Sequence, residues 1–178
     1  MLDDRAIRYR DLGRREDALA AAQESRAFRC ELAEVEPEYQ QTLDISFDLL
    51  SDAYARLGRF EEAVIVKEEG LKIRRDPWSL IELSTYYKRI GRFDDAVERA
   101  EEAVAIDLQR AEVQPRHLTL LMASLDHLSA TYREVGRLDE ALVLAAEVVA
   151  IHRDFADSHP GHHCHRCGQS ARQDNHAK

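Results

Sequence analysis

The sequence predicts an all-α protein, a right-handed α-solenoid of four helix-turn-helix pairs followed by a disordered C-terminal tail. The first observation is a motif that occurs four times, as LGRREDAL from Leu12, LGRFEEAV from Leu57, IGRFDDAV from Ile90 and VGRLDEAL from Val135. The second is a tyrosine four residues before each motif glycine. A pattern repeated at spacings of 45, 33 and 45 residues indicates one supersecondary unit stacked on itself.

The first helix of each unit is predicted from an apolar stripe that ends at the glycine. In the second unit the stripe is Leu50, Tyr54 and Leu57, which lie on one helix face at positions i, i+4 and i+7. Gly58 follows, and glycine takes the left-handed conformation just past a helix end at the lowest cost. The stripe returns as Leu83, Tyr87, Ile90 and as Leu128, Tyr132, Val135.

The second helix of each unit is predicted to begin directly after the turn. Glu61 and Glu62 fall in its first turn, where negative charge suits the positive end of the helix dipole. Ala63, in the same turn, is small enough to let the two helices lie close together. Ser51, Ser84 and Ser129, each three residues before a tyrosine, do the same from the other side.

Taken in order, the helices are predicted near 2–12, 15–35, 38–57, 60–75, 77–90, 93–113, 116–135 and 138–156. Pro37, Pro77 and Pro115 mark the starts of the third, fifth and seventh, because proline is tolerated in the first turn of a helix. The repeat domain is 1–157, with units at about 1–35, 37–75, 77–113 and 115–156, and the His/Cys-containing tail is 158–178. A shift of 78 residues aligns AEVEP at Ala33 with AEVQP at Ala111, which indicates a duplicated pair of units.

The repeated tyrosine, glycine and alanine resemble the pattern of the tetratricopeptide repeat family. All four units match it: Tyr9/Gly13/Ala18, Tyr54/Gly58/Ala63, Tyr87/Gly91/Ala96 and Tyr132/Gly136/Ala141. The early aromatic residue of that family is present as Phe47 in one unit and replaced by leucine in the others, and serine stands for its mid-helix glycine. The long repeats resemble the variants in kinesin light chains and in C-terminal arrays of bacterial signalling proteins.

Composition and charge limit the kinds of partner and the location expected for the protein. The 178 residues carry a formal net charge of −9, which argues against nucleic acid or an anionic membrane as the partner and favours a protein with a basic patch. The charged N-terminus MLDDRAIRYR and the lack of a long apolar run predict a cytoplasmic location. Arginine outnumbers lysine 21 to 4, which hints at a GC-rich bacterial genome.

The tail carries the sharpest local motif, HHCHRC. The candidate zinc ligands are His162, His163, Cys164 and Cys167, with His159, His152 or a second chain completing the site. The alternative is a disordered tail with oxidisable cysteines and no bound metal. No other cofactor is expected.

We predict no enzymatic activity. The paired carboxylates, such as Asp94 with Asp95, recur at helix starts and fit a dipole and solubility role better than acid-base catalysis. Cys30 lies in a helix with no histidine nearby in sequence, which is typical of an inert thiol.

The resemblance implies that the first helices line a concave surface that binds a peptide or protein partner. The candidate residues are Ile45, Asp48, Leu49, Asp52 and Arg56, then Trp78, Ile81, Glu82, Thr85, Lys88 and Arg89, then Asp126, His127, Ala130 and Arg133. Trp78, the sole tryptophan, either anchors a partner or fills the joint between the second and third units. The Lys/Asn carboxylate clamp of chaperone-binding relatives is disfavoured, because the one asparagine is Asn175.

The leading hypothesis is a protein-interaction adaptor, serving as a regulatory segment of a bacterial cytosolic signalling system. A zinc-binding or redox-responsive protein centred on the tail is the alternative. The last helix is apolar on more than one side at Leu142, Leu144, Val148, Val149 and Ile151. Solenoid ends need polar caps, so the tail folds back, the ends pair with another copy to form a homo-oligomer, or the chain is a piece of a longer array.

Overall fold

The computed structural model describes residues 2–158, and these form eight α helices in four antiparallel pairs. The helices are α1 (Leu2–Asp11), α2 (Arg15–Val35), α3 (Leu43–Arg56), α4 (Phe60–Ile73), α5 (Pro77–Arg89), α6 (Phe93–Val113), α7 (Leu118–Glu134) and α8 (Leu138–Ser158). Short 3₁₀ helices at Pro37–Thr42 and Pro115–His117 precede α3 and α7. Strands are absent from this part of the chain, so the all-α solenoid predicted from the sequence is confirmed.

The turns within the pairs close in the same way. The backbone φ angles of Gly13, Gly58, Gly91 and Gly136 are 72°, 76°, 75° and 84°, the left-handed region that glycine enters without steric cost. The arginine after each glycine donates its backbone N–H to the tyrosine carbonyl five residues earlier, as Arg92 does to Tyr87 at 2.9 Å. This bond satisfies a carbonyl left open at the helix end.

Two predicted helix starts lie before the observed ones, the third by about five residues and the seventh by two. The third and seventh helices were expected near 38 and 116, but their first residues adopt 3₁₀ geometry and the α helices begin at Leu43 and Leu118. The fourth helix ends at Ile73 because Arg74 is extended, with φ −139° and ψ 122°. Asp76 then caps α5 by accepting a hydrogen bond from the Ser79 N–H at 3.2 Å.

The hydrophobic core is a series of interfaces between neighbouring helix pairs. We call each of these interfaces a joint. The first-helix leucines Leu50, Leu83 and Leu128 are buried, as are the alanines Ala63 and Ala96 that follow the turns. Each second helix packs against the first helix of the next pair, so that α2 meets α3, α4 meets α5 and α6 meets α7. Each unit therefore contacts mainly its neighbours, which is the organisation of a solenoid.

Each joint also carries a hydrogen bond between a tyrosine hydroxyl and the residue ten positions after the preceding turn glycine. Gln23 donates to Tyr54 at 3.1 Å, Tyr87 donates to Glu68, and Tyr132 donates to Glu101 at 2.6 Å. Burial and the neighbouring carboxylate raise the pKa of Tyr87 to about 12. The hydroxyl therefore stays protonated and remains a donor.

The first helices form one layer. Besides their sequence neighbours, α1 contacts α3 and α5 contacts α7, which draws the first helices together on the inner, concave side of the array. The second helices lie outside them. None of the helices in residues 2–158 is both long enough and apolar enough to span a membrane.

Candidate partner-binding face

The solvent-facing side of α5 carries the residues predicted for it. Leu80, Leu83 and Tyr87 of this helix are buried. The opposite side, spaced by three or four residues, is exposed or half-buried and consists of Trp78, Ile81, Glu82, Thr85, Lys88 and Arg89. The helix period therefore places these six side chains on one stripe.

The matching stripes of α3 and α7 are accessible in the same way. On α3 it comprises Ile45, Asp48, Leu49, Asp52 and Arg56, and on α7 Asp126, His127, Ala130 and Arg133. We call the three stripes together the inner face. Their part in partner binding stays a prediction.

The type of residue on the inner face changes with its distance from the turns. Thirteen residues before the turn glycines, the first helices of the second, third and fourth units carry Ile45, Trp78 and Ala123. Ile45 is 45% exposed and Trp78 67% exposed, so large apolar surface is open to solvent at this level. Acidic residues lie midway along the helices, and the cations Arg56, Arg89 and Arg133 lie near their C-terminal ends, where the helix dipole favours positive charge.

Two of the predicted acidic contacts bind a buried lysine. Lys67 of α4 is only 1% exposed, and its Nζ lies 2.8 Å from Asp48 Oδ1 and 2.7 Å from Glu82 Oε2. Ser79 Oγ is 3.4 Å from the same Asp48 oxygen. We call these the Lys67 cluster; it joins α3, α4 and α5 beneath the inner face.

The Lys67 ammonium keeps its charge despite its burial. Desolvation lowers the pKa of Lys67, but the carboxylates of Glu82 and Asp48 more than offset it, and the net shift is upward. The positive charge in turn neutralises part of the acidic middle of the inner face. Asp52 is likewise paired, with its Oδ2 2.8 Å from Arg56 Nε.

On the fourth unit the inner face carries a neutral histidine. The ring nitrogen Nε2 of His127 lies 3.2 Å from Ser84 Oγ, across the joint between α5 and α7. Burial, together with nearby Lys88, lowers the pKa of His127 to about 4, although Glu134 acts in the opposite sense. Lys88 itself pairs with Glu134 at 2.9 Å. His127 is therefore a neutral hydrogen-bonding group at pH 7.

The cleft at the N-terminal end of the inner face is shallow. The cleft between α1 and α3, bordered by Ile7, Arg10, Leu49, Asp52 and Arg56 among others, has an interior volume of about 10 Å³. That is room for a single water molecule. Such a surface suits contact with another polypeptide better than enclosure of a small molecule.

The structure decides one alternative for Trp78. With 67% of its surface exposed, Trp78 does not fill the joint between the second and third units. That interpretation is wrong because the joint is already occupied by Val64, Leu83 and Tyr86. The partner-anchor interpretation remains a prediction.

The predicted zinc ligands His162, His163, Cys164 and Cys167 lie outside the described residues, as does His159. Among the side chains that the structure describes, histidine, cysteine and carboxylate groups form no cluster of three or more that could hold a metal ion. Zinc binding by the tail therefore stays a prediction.

Sequence reasoning missed Lys67 and the motif arginines. Nine residues after the turn glycine, three units have alanine, at 22, 100 and 145, and the second has Lys67. Ala22 and Ala100 are buried, so a lysine at the equivalent position is the signal that points to an internal ion pair. For the motif arginines the sequence predicted no contact.

The motif arginines brace the turns. The guanidinium carbon of Arg92 lies 4.5 Å from the centre of the Tyr87 ring, and its Nε donates to Asp95 at 2.7 Å. The same stacking recurs at 4.7, 4.8 and 4.4 Å for Arg14, Arg59 and Arg137. The second acidic residue of the motif thus pairs with an arginine, in addition to lying in the first helical turn.

Comparison with protein families finds tetratricopeptide repeat models at residues 46–77 and 121–154. No curated protein matches the sequence. Among solved structures, the nearly identical TPR-like repeats of a candidate kinesin light chain from Podosopora anserina are 20% identical at a TM-score of 0.51, over 89% of this chain and 95% of that one.

Two further structures resemble the chain. MamA is 15% identical at a TM-score of 0.62, over 88% of this chain and 79% of that one. The apo form of RapI is 12% identical at a TM-score of 0.68, over 88% of this chain and 56% of that one. At these identities the likeness establishes the fold.

Proposed function

We propose that the chain, which matches tetratricopeptide repeat models at residues 46–77 and 121–154, is an adaptor that holds a segment of another protein on the inner face, anchored at Trp78. The repeats and their structural neighbours support a protein-interaction scaffold. The observation that carries the proposal is the exposure of Trp78 at 67% on a helix whose other side is fully packed.

The chemistry of the inner face describes the segment that would fit. An apolar side chain of the partner would lie against Trp78 and Ile45, the large apolar residues exposed at one level of the face. Buried aromatic anchors of this kind carry much of the binding free energy at protein interfaces. The overall charge of −9 would steer a partner with basic residues toward the protein.

The setting proposed is a regulatory segment of a bacterial cytosolic signalling system. What supports it is the arginine-rich composition and the long repeat spacing of 45 residues.

A displayed library of random dodecapeptides tests the inner face directly. Selected peptides should shift the emission of Trp78 to shorter wavelength, since this is the one tryptophan in the chain. Trp78→Ala should weaken their binding about 10- to 100-fold, the range expected for an aromatic hot spot.

The matched control is Ile65→Ala, which removes a 57% exposed apolar side chain from α4, a second helix. It should leave peptide affinity unchanged. Peptides that bind the Trp78→Ala variant as tightly as the parent, or that lose affinity in the Ile65→Ala control, would contradict a binding site on the inner face.

A further inference from the structure

The last helix presents to solvent a surface that the other second helices bury. Six residues after the turn glycine, the first three units have Leu19, Val64 and Val97, which are 5%, 4% and 6% exposed because the next unit packs on them. The fourth unit has Leu142 at this position, and it is 70% exposed. At this position α8 therefore exposes a side chain that belongs to a joint in the other units.

The exposed surface is wider than that single position. Val143 and Val149 are 71% and 56% exposed, and Ala146 and Ala150 also face solvent. Leu142, Val143, Val149 and Ala150 each lie three or four residues from Ala146, so the five side chains share one helix face. We call this set the α8 stripe; Asp139 and Arg153 lie at its two ends on the same face.

Two segments that could cover the α8 stripe fit it poorly. Residues 159–178 contain no Val, Leu, Ile, Met, Phe, Tyr or Trp, so they offer no apolar stripe to cover it. The N-terminal end of another copy would bring Arg5, which stands where the later units have Leu50, Leu83 and Leu128, against apolar side chains. Ala146 also stands where the internal joints have the hydrogen-bonding partner of a tyrosine hydroxyl, Gln23, Glu68 or Glu101.

We propose that the α8 stripe pairs with the α8 stripe of a second copy of this chain, antiparallel and related by a two-fold axis near Ala146. A two-fold contact must be self-complementary, and this stripe meets that condition. With Ala146 at the axis, Val143 lies opposite Val149 of the second copy and Leu142 opposite its Ala150. The small alanines let the two helices approach closely.

The charges at the ends of the stripe fit the same register. Asp139 and Arg153 are each seven residues from Ala146. Across the axis, Asp139 of one copy therefore lies opposite Arg153 of the other. A parallel pair would instead place like charges side by side. Charge complementarity thus selects the antiparallel orientation. This inference concerns a surface distinct from the inner face and does not depend on the proposed function.

Sedimentation of the 178-residue chain tests the pairing. Two single helices bury less than the roughly 1,200 Å² of a standard interface, so we expect a reversible dimer with a dissociation constant in the range of about 1–100 µM. Val143→Glu should raise that constant at least about 100-fold, since two carboxylates would enter the contact. The matched control is Ile65→Glu, exposed at the same position of α4, which should leave it unchanged.

A charge exchange tests the register. Asp139→Arg and Arg153→Asp should each weaken the dimer about 10-fold, and the double variant should return to within about 3-fold of the parent. The rescue also shows that the single variants fold. A chain that stays monomeric at about 200 µM, a dimer that Val143→Glu leaves intact, or a double variant that remains weak would each overturn the proposal.

Discussion

At the scale of single residues, the Lys67 cluster decides how the second and third units are joined. Lys67→Ala would restore the alanine found in the other units but leave the carboxylates of Asp48 and Glu82 without their cation. Breaking a buried pair costs about 3–5 kcal/mol, and because the two carboxylates are 40% and 30% exposed we expect about 2 kcal/mol here. Urea unfolding followed by circular dichroism measures the loss.

The control separates the charge from the packing. In Lys67→Ala/Asp48→Asn/Glu82→Gln the stranded charges are gone, so most of the lost free energy of unfolding should return. Lys72→Ala, an exposed lysine of the same helix, should change stability by less than about 0.5 kcal/mol. A Lys67→Ala variant as stable as the parent would show that the cluster does not hold the joint.

Residues that have the same structural role in several units could be predicted from the sequence, whereas Lys67, whose role occurs in one unit, could not. Leu50, Leu83 and Leu128 were predicted to be core because the same position is apolar in three units, and all are buried. Lys67 occurs once, and its two partners come from helices 19 and 15 residues away in sequence. Only the packing of α3, α4 and α5 brings the three groups together.

At the scale of the helix pair, Phe47 and Gly70 form a large-to-small match within the second unit. A Cβ added to Gly70 would lie 2.9 Å from the Phe47 Cβ, too close for either helix to accept without moving. Alanine in a helix interior normally stabilises by about 0.5–1 kcal/mol over glycine. Here we expect Gly70→Ala to lower stability by about 1–2 kcal/mol, because overpacking outweighs that gain.

The third unit supplies the compensating change. At the positions equivalent to Phe47 and Gly70 it has Leu80 and Ala103, both fully buried. The double variant Phe47→Leu/Gly70→Ala should therefore lose less stability than the sum of the losses of the two single variants. A double-mutant cycle in thermal unfolding would measure this difference. Additive losses would mean that the two residues are not matched in size.

Helix positions could be predicted closely because glycine and proline mark them. The ends at Asp11, Arg56 and Arg89 lie within a residue of the expected positions, since a left-handed glycine follows two residues later in each case. The starts of α3 and α7 were less accurate. Proline sets the first backbone angle of a helix but does not distinguish a 3₁₀ turn from an α turn.

At the scale of the whole molecule, the inner face could be predicted as a stripe on each first helix, but its partner could not. The helix period fixes which side of α5 carries Trp78 and Lys88, given that Leu83 and Tyr87 are buried. Recognition depends instead on which charges remain after internal pairing. Asp48 and Glu82 counted as open carboxylates in the sequence, and both bind Lys67.

The array should open at its ends before its middle, because units that contact only their neighbours are supported on one side alone at each end. Helix α1 packs against α2 and α3, carries Arg5 and is followed by the exposed Leu12, whereas α5 packs among α4, α6 and α7. Both are first helices of similar length, so they make a matched comparison. Hydrogen exchange at about 1 µM protein should show protection in α1 at least about 100-fold below that in α5. Equal protection from α1 to α7 would instead indicate a single cooperative globule, and the description of the chain as a row of nearest-neighbour joints would be wrong.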